Sequence, residues 1–287
     1  MANEKEQPAM SEPVALPPGV ERILAPNPSL MTGPGTNTFL VADDAAGEVV
    51  VIDPGPNIPE HLRRIADAVA ERGTPRAILV THGHPDHEEG AAALREMLGV
   101  PVHAWSREGV PATDSPLADN AVVPVGSRRL RALYTPGHRF DHLSFLLEDA
   151  NALFAGDLIA GEGTVVIAPP EGDLLEYMES LRRLLSLGLR LILPAHGPLL
   201  DDPQAVLTYY ISHREQREAQ VLEALRQGAA TIPEMVRVIY ADVSPDLHPI
   251  AAHSVLAHLL KLEREQRVLR QHGTDGTDGL EHWSLVT

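Results

Sequence analysis

Cysteine is absent from all 287 residues, so the chain contains no disulfide, no thiolate nucleophile and no thiolate metal ligand. Aromatic residues make up only 4% of it, too few for the stacking platforms on which single-stranded nucleic acids are bound. No apolar stretch approaches the roughly 20 residues of a membrane-spanning helix. Residues 1–18, rich in Pro, Glu and Ala, lack the apolar centre of a secretory signal. Positive charge is scarce as well: 23 Lys and Arg face 40 Asp and Glu, for a formal net charge of −17. Affinity for nucleic acid depends on neutralising phosphates, so this balance argues against a general polyanion binder. The deficit is uneven, with 15 basic against 29 acidic residues over 1–210 and 8 against 11 over 211–287, but neither part is basic. The expectation is a short disordered leader over 1–18 and a cytoplasmic protein with no membrane partner.

The hydrophobic fraction of 44% is that of an ordinary globular protein, and the length allows one large domain or two smaller ones. Strand-like runs fall at 37–42, 49–53, 77–81, 100–105, 130–135, 143–147, 152–155 and 189–193, each short, apolar or β-branched and bounded by Gly, Pro or Asp. Helical periodicity lies between them at 59–72, 88–98 and 174–187. Strands alternating with helices predict a layered α/β body over 19–201. From 202 to 287 the character changes to three helices, over about 203–227, 232–240 and 250–266, and a terminal hairpin around a Gly/Asp/Thr-rich loop at 273–279. Thr231 and Glu234 stand at capping-box spacing at the start of the second of these helices. Helices followed by a two-stranded ribbon outline a small winged-helix-like domain.

The chemistry is concentrated in Thr81-His82-Gly83-His84-Pro85-Asp86-His87, directly after an apolar run. Neutral imidazole and carboxylate are preferred ligands of zinc and related divalent metals. Three further segments place such a residue where a strand runs into a loop: His138 after Tyr134, Asp157 after Leu153-Phe154-Ala155-Gly156, and His196 after Ile192-Leu193-Pro194. Strand ends are rigid and the loops beyond them let side chains converge. Any one of these histidines alone would read as a surface or core residue, but their combination points to a metal site. Asp53 reads as an orienter of the metal loop, or as a simple turn former. His142 reads as a supporting or proton-donating residue, or as a structural hydrogen-bonding one. The remaining histidines, His258 among them, have no partners at ligand spacing.

The order, spacing and context of these motifs resemble the metallo-β-lactamase superfamily over about residues 20–200. Gly35-Thr36-Asn37-Thr38-Phe39-Leu40-Val41, Gly161-Glu162-Gly163-Thr164 and the C-terminal appendage resemble its branch of lactamase-beta-like protein 2 and related thioesterases. The resemblance implies a four-layer αββα sandwich with two metals at one edge of the sheets. His82, His84 and His138 would hold the first and Asp86, His87 and His196 the second, with Asp157 bridging. Two zinc ions are the default, with iron or manganese accepted by the same donors. Two dications against Asp86, Asp157 and a bridging hydroxide leave a net charge of about +1 to polarise an oxyanion-forming substrate. The expected catalytic residues are Asp86 and His142.

An antibiotic β-lactamase is disfavoured: its cysteine-dependent forms are excluded, and its cysteine-free forms usually lack the aspartate at Asp157 and carry an export signal. Nucleases with a large inserted domain are disfavoured by the short interval from Asp157 to His196. The reading favoured is a hydrolase of small-molecule acyl substrates, thioester or ester, with weak β-lactam hydrolysis as a side activity. The alternatives are a phosphodiesterase cleaving single-stranded RNA and, outside enzymes, a winged-helix nucleic-acid-binding regulator. The third C-terminal helix is poor for phosphate contact, since Lys261, Arg264 and Arg267 are interleaved with Glu263 and Glu265. A tail covering the active-site edge, or a homo-oligomer through the C-terminal domain, fits it better.

Overall fold

A computed structural model describes residues 14–272 and 281–286. The first sheet has six strands in chain order: β1 (Val20–Leu24), β2 (Asn37–Asp43), β3 (Glu48–Ile52), β4 (Thr74–Leu79), β5 (Val102–Ala104) and β6 (Ser115–Pro116). β1, β2 and β3 are antiparallel; β3 to β6 run parallel. The helices α1 (Pro59–Arg72), α2 (Pro85–Glu88) and α3 (Ala91–Leu98) belong to this half. α1 follows its sequence pattern closely, with Pro at its first turn and Leu62, Ile65 and Val69 on one buried stripe. The single helix expected over 88–98 is instead two pieces. Gly90 N–H donates to the Gly55 carbonyl at 2.9 Å, which diverts the backbone between α2 and α3.

The second sheet has the order β11-β10-β9-β8-β7, from β7 (Val122–Val125), β8 (Arg128–Tyr134), β9 (Leu143–Leu147), β10 (Ala152–Gly156) and β11 (Leu191–Pro194). Its one parallel pair is β10 with β11. α4 (Leu174–Leu185) precedes β11 and is capped by Asp173, which accepts from Leu175 and Glu176 N–H groups.

Strand alternation builds the layers. Phe39, Val41, Val50, Ile52, Phe154 and Leu193 point between the sheets into one shared core. Leu40, Ala42, Val49 and Val51 face α1 and α3, whereas Leu153, Ala155 and Ile192 face α4. The result is the expected αββα sandwich. Val14 and Leu16 already rest against the inter-sheet core, so ordered packing begins inside the segment expected as a leader. The rest of that segment, 1–13, lies outside the described residues.

α5 (Pro203–Arg226), α6 (Ile232–Ile239), α7 (His248–Arg264) and a hairpin of β12 (Val268–His272) and β13 (Glu281–Leu285) complete the chain, with a 3₁₀ turn at Pro245–Leu247. Glu234 accepts the N–H groups of Ala230 and Thr231 at 2.9 Å, as the capping-box spacing predicts. α5 serves both halves: Val206, Leu207 and Tyr210 pack with α4, and Val221, Leu222 and Leu225 pack with Met235, Leu259 and Trp283. The expected loop at 273–279 lies outside the described residues. Among those described, no helix is long and apolar enough to cross a membrane.

Candidate metal centre

The parallel pairs β3/β4 and β10/β11 bring their carboxyl ends to one edge of the sandwich, and the seven expected ligands gather there. They form two groups, each with ligand atoms within 4.8 Å of one another: His82, His84, His138 and Asp157, and separately Asp86, His87 and His196. Both groups draw on both sheets. His82 to His87 follow β4, His138 follows β8, Asp157 follows β10 and His196 follows β11.

Asp157 joins the groups. Its Oδ2 lies 3.6 Å from His138 Nε2 and 3.9 Å from His82 Nε2. Its Oδ1 lies 3.2 Å from His196 Nε2 and 3.5 Å from His87 Nε2. Asp86 Oδ2 completes the second group, 3.2 Å from His196 Nε2 and 3.5 Å from His87 Nε2.

The imidazoles are aimed from behind. Thr81 Oγ1 donates to Asp53 Oδ2 at 2.8 Å and can therefore accept from His82 Nδ1, 3.1 Å away. His87 Nδ1 donates to Asp53 Oδ2 at 3.0 Å, and His138 Nδ1 donates to the Val166 carbonyl at 2.9 Å. With those protons placed, Nε2 of His82, His87 and His138 each present a lone pair to the centre. His84 turns its Nδ1 inward, 2.9 Å from His82 Nε2 and 3.2 Å from His138 Nε2. Facing lone pairs repel at such separations, and a cation among them removes the conflict. His87 Nε2 is buried with no hydrogen-bond partner among the described residues. An orphaned imidazole nitrogen, crowded lone pairs and a carboxylate between the two groups fit a pair of divalent metals.

Electrostatics divides the groups. Burial and the neighbouring His87 hold His82 neutral, well below its ordinary range, and burial with His138 brings His84 to about 4. Burial opposes charge on Asp157 too, but His87 and His196 reverse it and hold the carboxyl well below the usual range. Asp157 and Asp53 outweigh burial at His87, raised well above an ordinary histidine, and Asp157 outweighs burial at His196, raised to about 9. Without metal, protons on His87 and His196 therefore supply the positive charge the second group demands.

His142 is fully enclosed. Its Nδ1 lies 3.0 Å from Thr135 Oγ1, and its Nε2 accepts the Asp157 backbone N–H at 3.1 Å, fixing the turn that presents Asp157. The turn itself requires glycine. Gly156 has φ +52°, and a Cβ there would stand 2.6 Å from His142 Nε2. Gly83 faces a similar limit, since a Cβ would come within 1.9 Å of the Gly109 carbonyl oxygen. Sequence reading did not find the supporting roles of Thr81, Thr135, the Val166 carbonyl or Asp141, which accepts from Gly83 N–H at 3.0 Å. Nothing in their residue types marks them; only the adjacency of Thr81 to His82 and of Asp141 to His142 is a signal. The Gly161–Thr164 segment is braced by Tyr210, whose hydroxyl donates to the Gly163 carbonyl at 3.0 Å and accepts from Ala160 N–H at 3.0 Å.

Comparison with known proteins agrees with this geometry. Residues 31–196 match the metallo-beta-lactamase superfamily, and residues 231–278 match the beta-lactamase associated winged helix domain. The beta-lactamase-like protein 2 homolog of Drosophila melanogaster is 34% identical over 270 residues, covering 87% of this chain and 89% of that protein. An atrochrysone carboxyl ACP thioesterase of Aspergillus fumigatus is 32% identical over 300 residues, covering 98% and 91%. The crystal structure of a beta-lactamase domain protein from Burkholderia ambifaria superposes with a TM-score of 0.81 at 22% identity, covering 100% of this chain and 99% of that one, a likeness of fold alone.

Proposed function

This chain belongs to the metallo-β-lactamase superfamily, and we propose that, as a hydrolase of that fold, it holds two divalent metals and cleaves an acyl bond of the thioester or ester type. The observation that carries the two-metal reading is Asp157, whose two oxygens each face a different set of imidazoles. Zinc is the metal we assign to these nitrogen and carboxylate donors; elemental analysis of the purified protein distinguishes it from iron or manganese. When bound, two such ions supply a water that ionises near neutral pH and a positive field for the charge building on the scissile carbonyl.

The protein's own residues do the rest. His82, His84 and His138 hold the first position, and Asp86, His87 and His196 the second, with Asp157 shared. Asp53 and Thr81 hold a ring proton on Nδ1 of His87 and His82, so that Nε2 is the nitrogen each would offer to a metal. Asp86 is the more exposed of the two carboxylates, 27% against 15% for Asp157, and meets an incoming water first. Burial opposes its ionisation, but His196 and His87 hold it at about 2, so it stays charged at neutral pH. His142 acts as a positioning residue through the Asp157 backbone.

The acyl preference draws on the thioesterase among the relatives and on surface charge. The cations of α7 and of the turn after it are already engaged: Lys261 with Glu218 and Glu265, Arg264 with Asp173, Arg267 with Glu218. That leaves little for a phosphate backbone, so we assign the unit over 202–287 to covering α4 rather than reading nucleic acid. The catalytic unit is then 19–201, with α5 shared. The test is zinc-loaded protein against acyl-CoA, acyl-glutathione and short single-stranded RNA. Thioester turnover that Asp157→Asn abolishes is expected; turnover of RNA alone would overturn the acyl assignment.

A further inference from the structure

Away from the metal centre, α4, α5 and α7 line a polar cavity of about 100 Å³. Leu174 and Met178 of α4 form its apolar wall, and Arg182 and Glu215 stand at its exposed rim. Its deep end is made by Arg214 of α5 and His258 of α7, only 4% and 2% exposed.

Both deep residues are under-satisfied. Arg214 donates through Nη2 to the Val165 carbonyl and lies 5.3 Å over the Tyr177 ring, but its Nε has no acceptor among the described residues. Neither ring nitrogen of His258 has a partner there. The two carboxylates lining the cavity are taken: Glu215 pairs with Arg182, and Glu218 pairs with Lys261 and Arg267. Arg214 has no carboxylate partner among the described residues. A guanidinium is charged at every physiological pH, and a buried charge left unpaired is costly. Three lining cations, Arg182, Arg214 and Lys261, face only those two carboxylates.

We propose that this cavity binds a small tetrahedral oxyanion, of the size and charge of phosphate or sulfate. Its oxygens accept from Nε of Arg214 and from one N–H of a neutral His258, the donors of this cavity that have no acceptor among the described residues. Burial, reinforced by Arg214, keeps His258 neutral, so it offers one N–H and adds no second buried charge. The site is separate from the metal centre, although Arg214 holds Val165, beside the Val166 carbonyl that orients His138. The same oxyanion chemistry belongs to a free ion or to the phosphate end of a larger molecule.

The test is thermal melting of the metal-loaded full chain in rising phosphate or sulfate, against chloride at matched ionic strength. A hundred-fold excess over Kd raises the melting temperature by roughly 5 °C. Asp157→Asn keeps the response, which separates the cavity from anion binding at the metals. His258→Leu and Arg214→Met shift the response to at least roughly tenfold higher concentration, the loss of one such hydrogen bond. Adenosine monophosphate distinguishes the sources: a response at lower concentration than phosphate assigns the oxyanion to a larger ligand, and a response to phosphate alone assigns it to the free ion. Crystals soaked in selenate read the site without any substitution, through anomalous density beside Arg214 and His258. An empty cavity in those crystals, or an unchanged response in both variants, would overturn the proposal.

Discussion

Asp53→Asn is the substitution that most sharply separates support from ligation. Asp53 has φ +50°, a left-handed conformation that asparagine tolerates well, so the backbone is not the perturbation. In the native arrangement Oδ1 accepts Thr81 N–H at 2.7 Å, and Oδ2 accepts from Thr81 Oγ1 at 2.8 Å and His87 Nδ1 at 3.0 Å. Asparagine keeps the first bond only if its oxygen stays at the Oδ1 position. Its amide nitrogen then faces His87 Nδ1 and donates, which forces the imidazole proton onto Nε2. That nitrogen can no longer present a lone pair to the second metal position. The flipped amide avoids this but sets two donors, Thr81 N–H and the amide, against each other. Loss of such a partner behind a ligating histidine weakens metal affinity by about 10–100-fold, equivalent to roughly 1.4–2.8 kcal/mol. That range matches the roughly 1.5–3 kcal/mol of a hydrogen bond to a charged group. The assay is titration with a competing chelator that resolves the two metal equivalents. The second equivalent should weaken by that factor and the first far less, since His82 Nδ1 still finds Thr81 Oγ1. Two equivalents bound as tightly as in the wild type, or an equal loss at both, would refute the tautomer argument.

Three further outcomes are expected. Stripping the metals removes two ligands of the native state; at a hundred-fold saturation of each site this costs about 5.4 kcal/mol and roughly 10–20 °C of melting temperature, read by calorimetry before and after chelation. Phe154 is 1% exposed and packs 5.2 Å from Phe39 between the sheets, so Phe154→Ala should cost about 3–5 kcal/mol in urea unfolding; a loss below about 1 kcal/mol would contradict that placement. Burial, aided by Arg64, lowers His61 from 6.5 to about 4. The unfolded chain then binds the extra proton, so this contribution to stability is whole above pH ~6.5 and is lost as pH falls toward ~4. Between pH 7 and 5 the wild type should lose about 2 kcal/mol more than His61→Gln, and parallel pH profiles would reject the assignment.

What the sequence makes legible follows from where the signal is local. β2, β3, β8, β9, β10 and β11 are apolar runs closed by turn residues, and each is found within about three residues of its expected place. β1, β6 and β7 are not foreseen. Val20–Leu24 alternates over only five residues behind Pro17-Pro18, and Ser115–Pro116 is a strand only because β5 pairs with it. The division of α2 from α3 depends on the Gly55 carbonyl, 35 residues away in sequence from Gly90, which no local pattern encodes. The same distinction divides the site. The seven expected ligands stand at strand ends and converge. Their tautomers are set by Asp53, Thr81 and the Val166 carbonyl, partners supplied by other elements and invisible in residue type. The polar cavity was illegible for the same reason: His253 and His258 read as ordinary, and only the packing of α7 against α4 and α5 shows that His258 is buried without a partner.

The composition of each ligand group carries a consequence for stability. Each takes donors from both sheets, so bound metals would stitch the sandwich at one edge while Phe39, Phe154 and their neighbours hold it along the seam. Phe154 lies on β10 three residues before Asp157, the carboxylate shared by both groups. A cavity at Phe154 lets β10 shift, which displaces Asp157 and weakens metal binding. By linkage the metals then stabilise the variant less than the wild type. Chelation should therefore cost Phe154→Ala less than it costs the native chain, with a coupling of about 0.5–3 kcal/mol, as for sites that share backbone. Urea unfolding of both proteins with and without chelator measures the four corners of that cycle. Losses that add to within about 0.5 kcal/mol would mean that the core and the metal edge are independent, and that β10 is held in place by its neighbours alone.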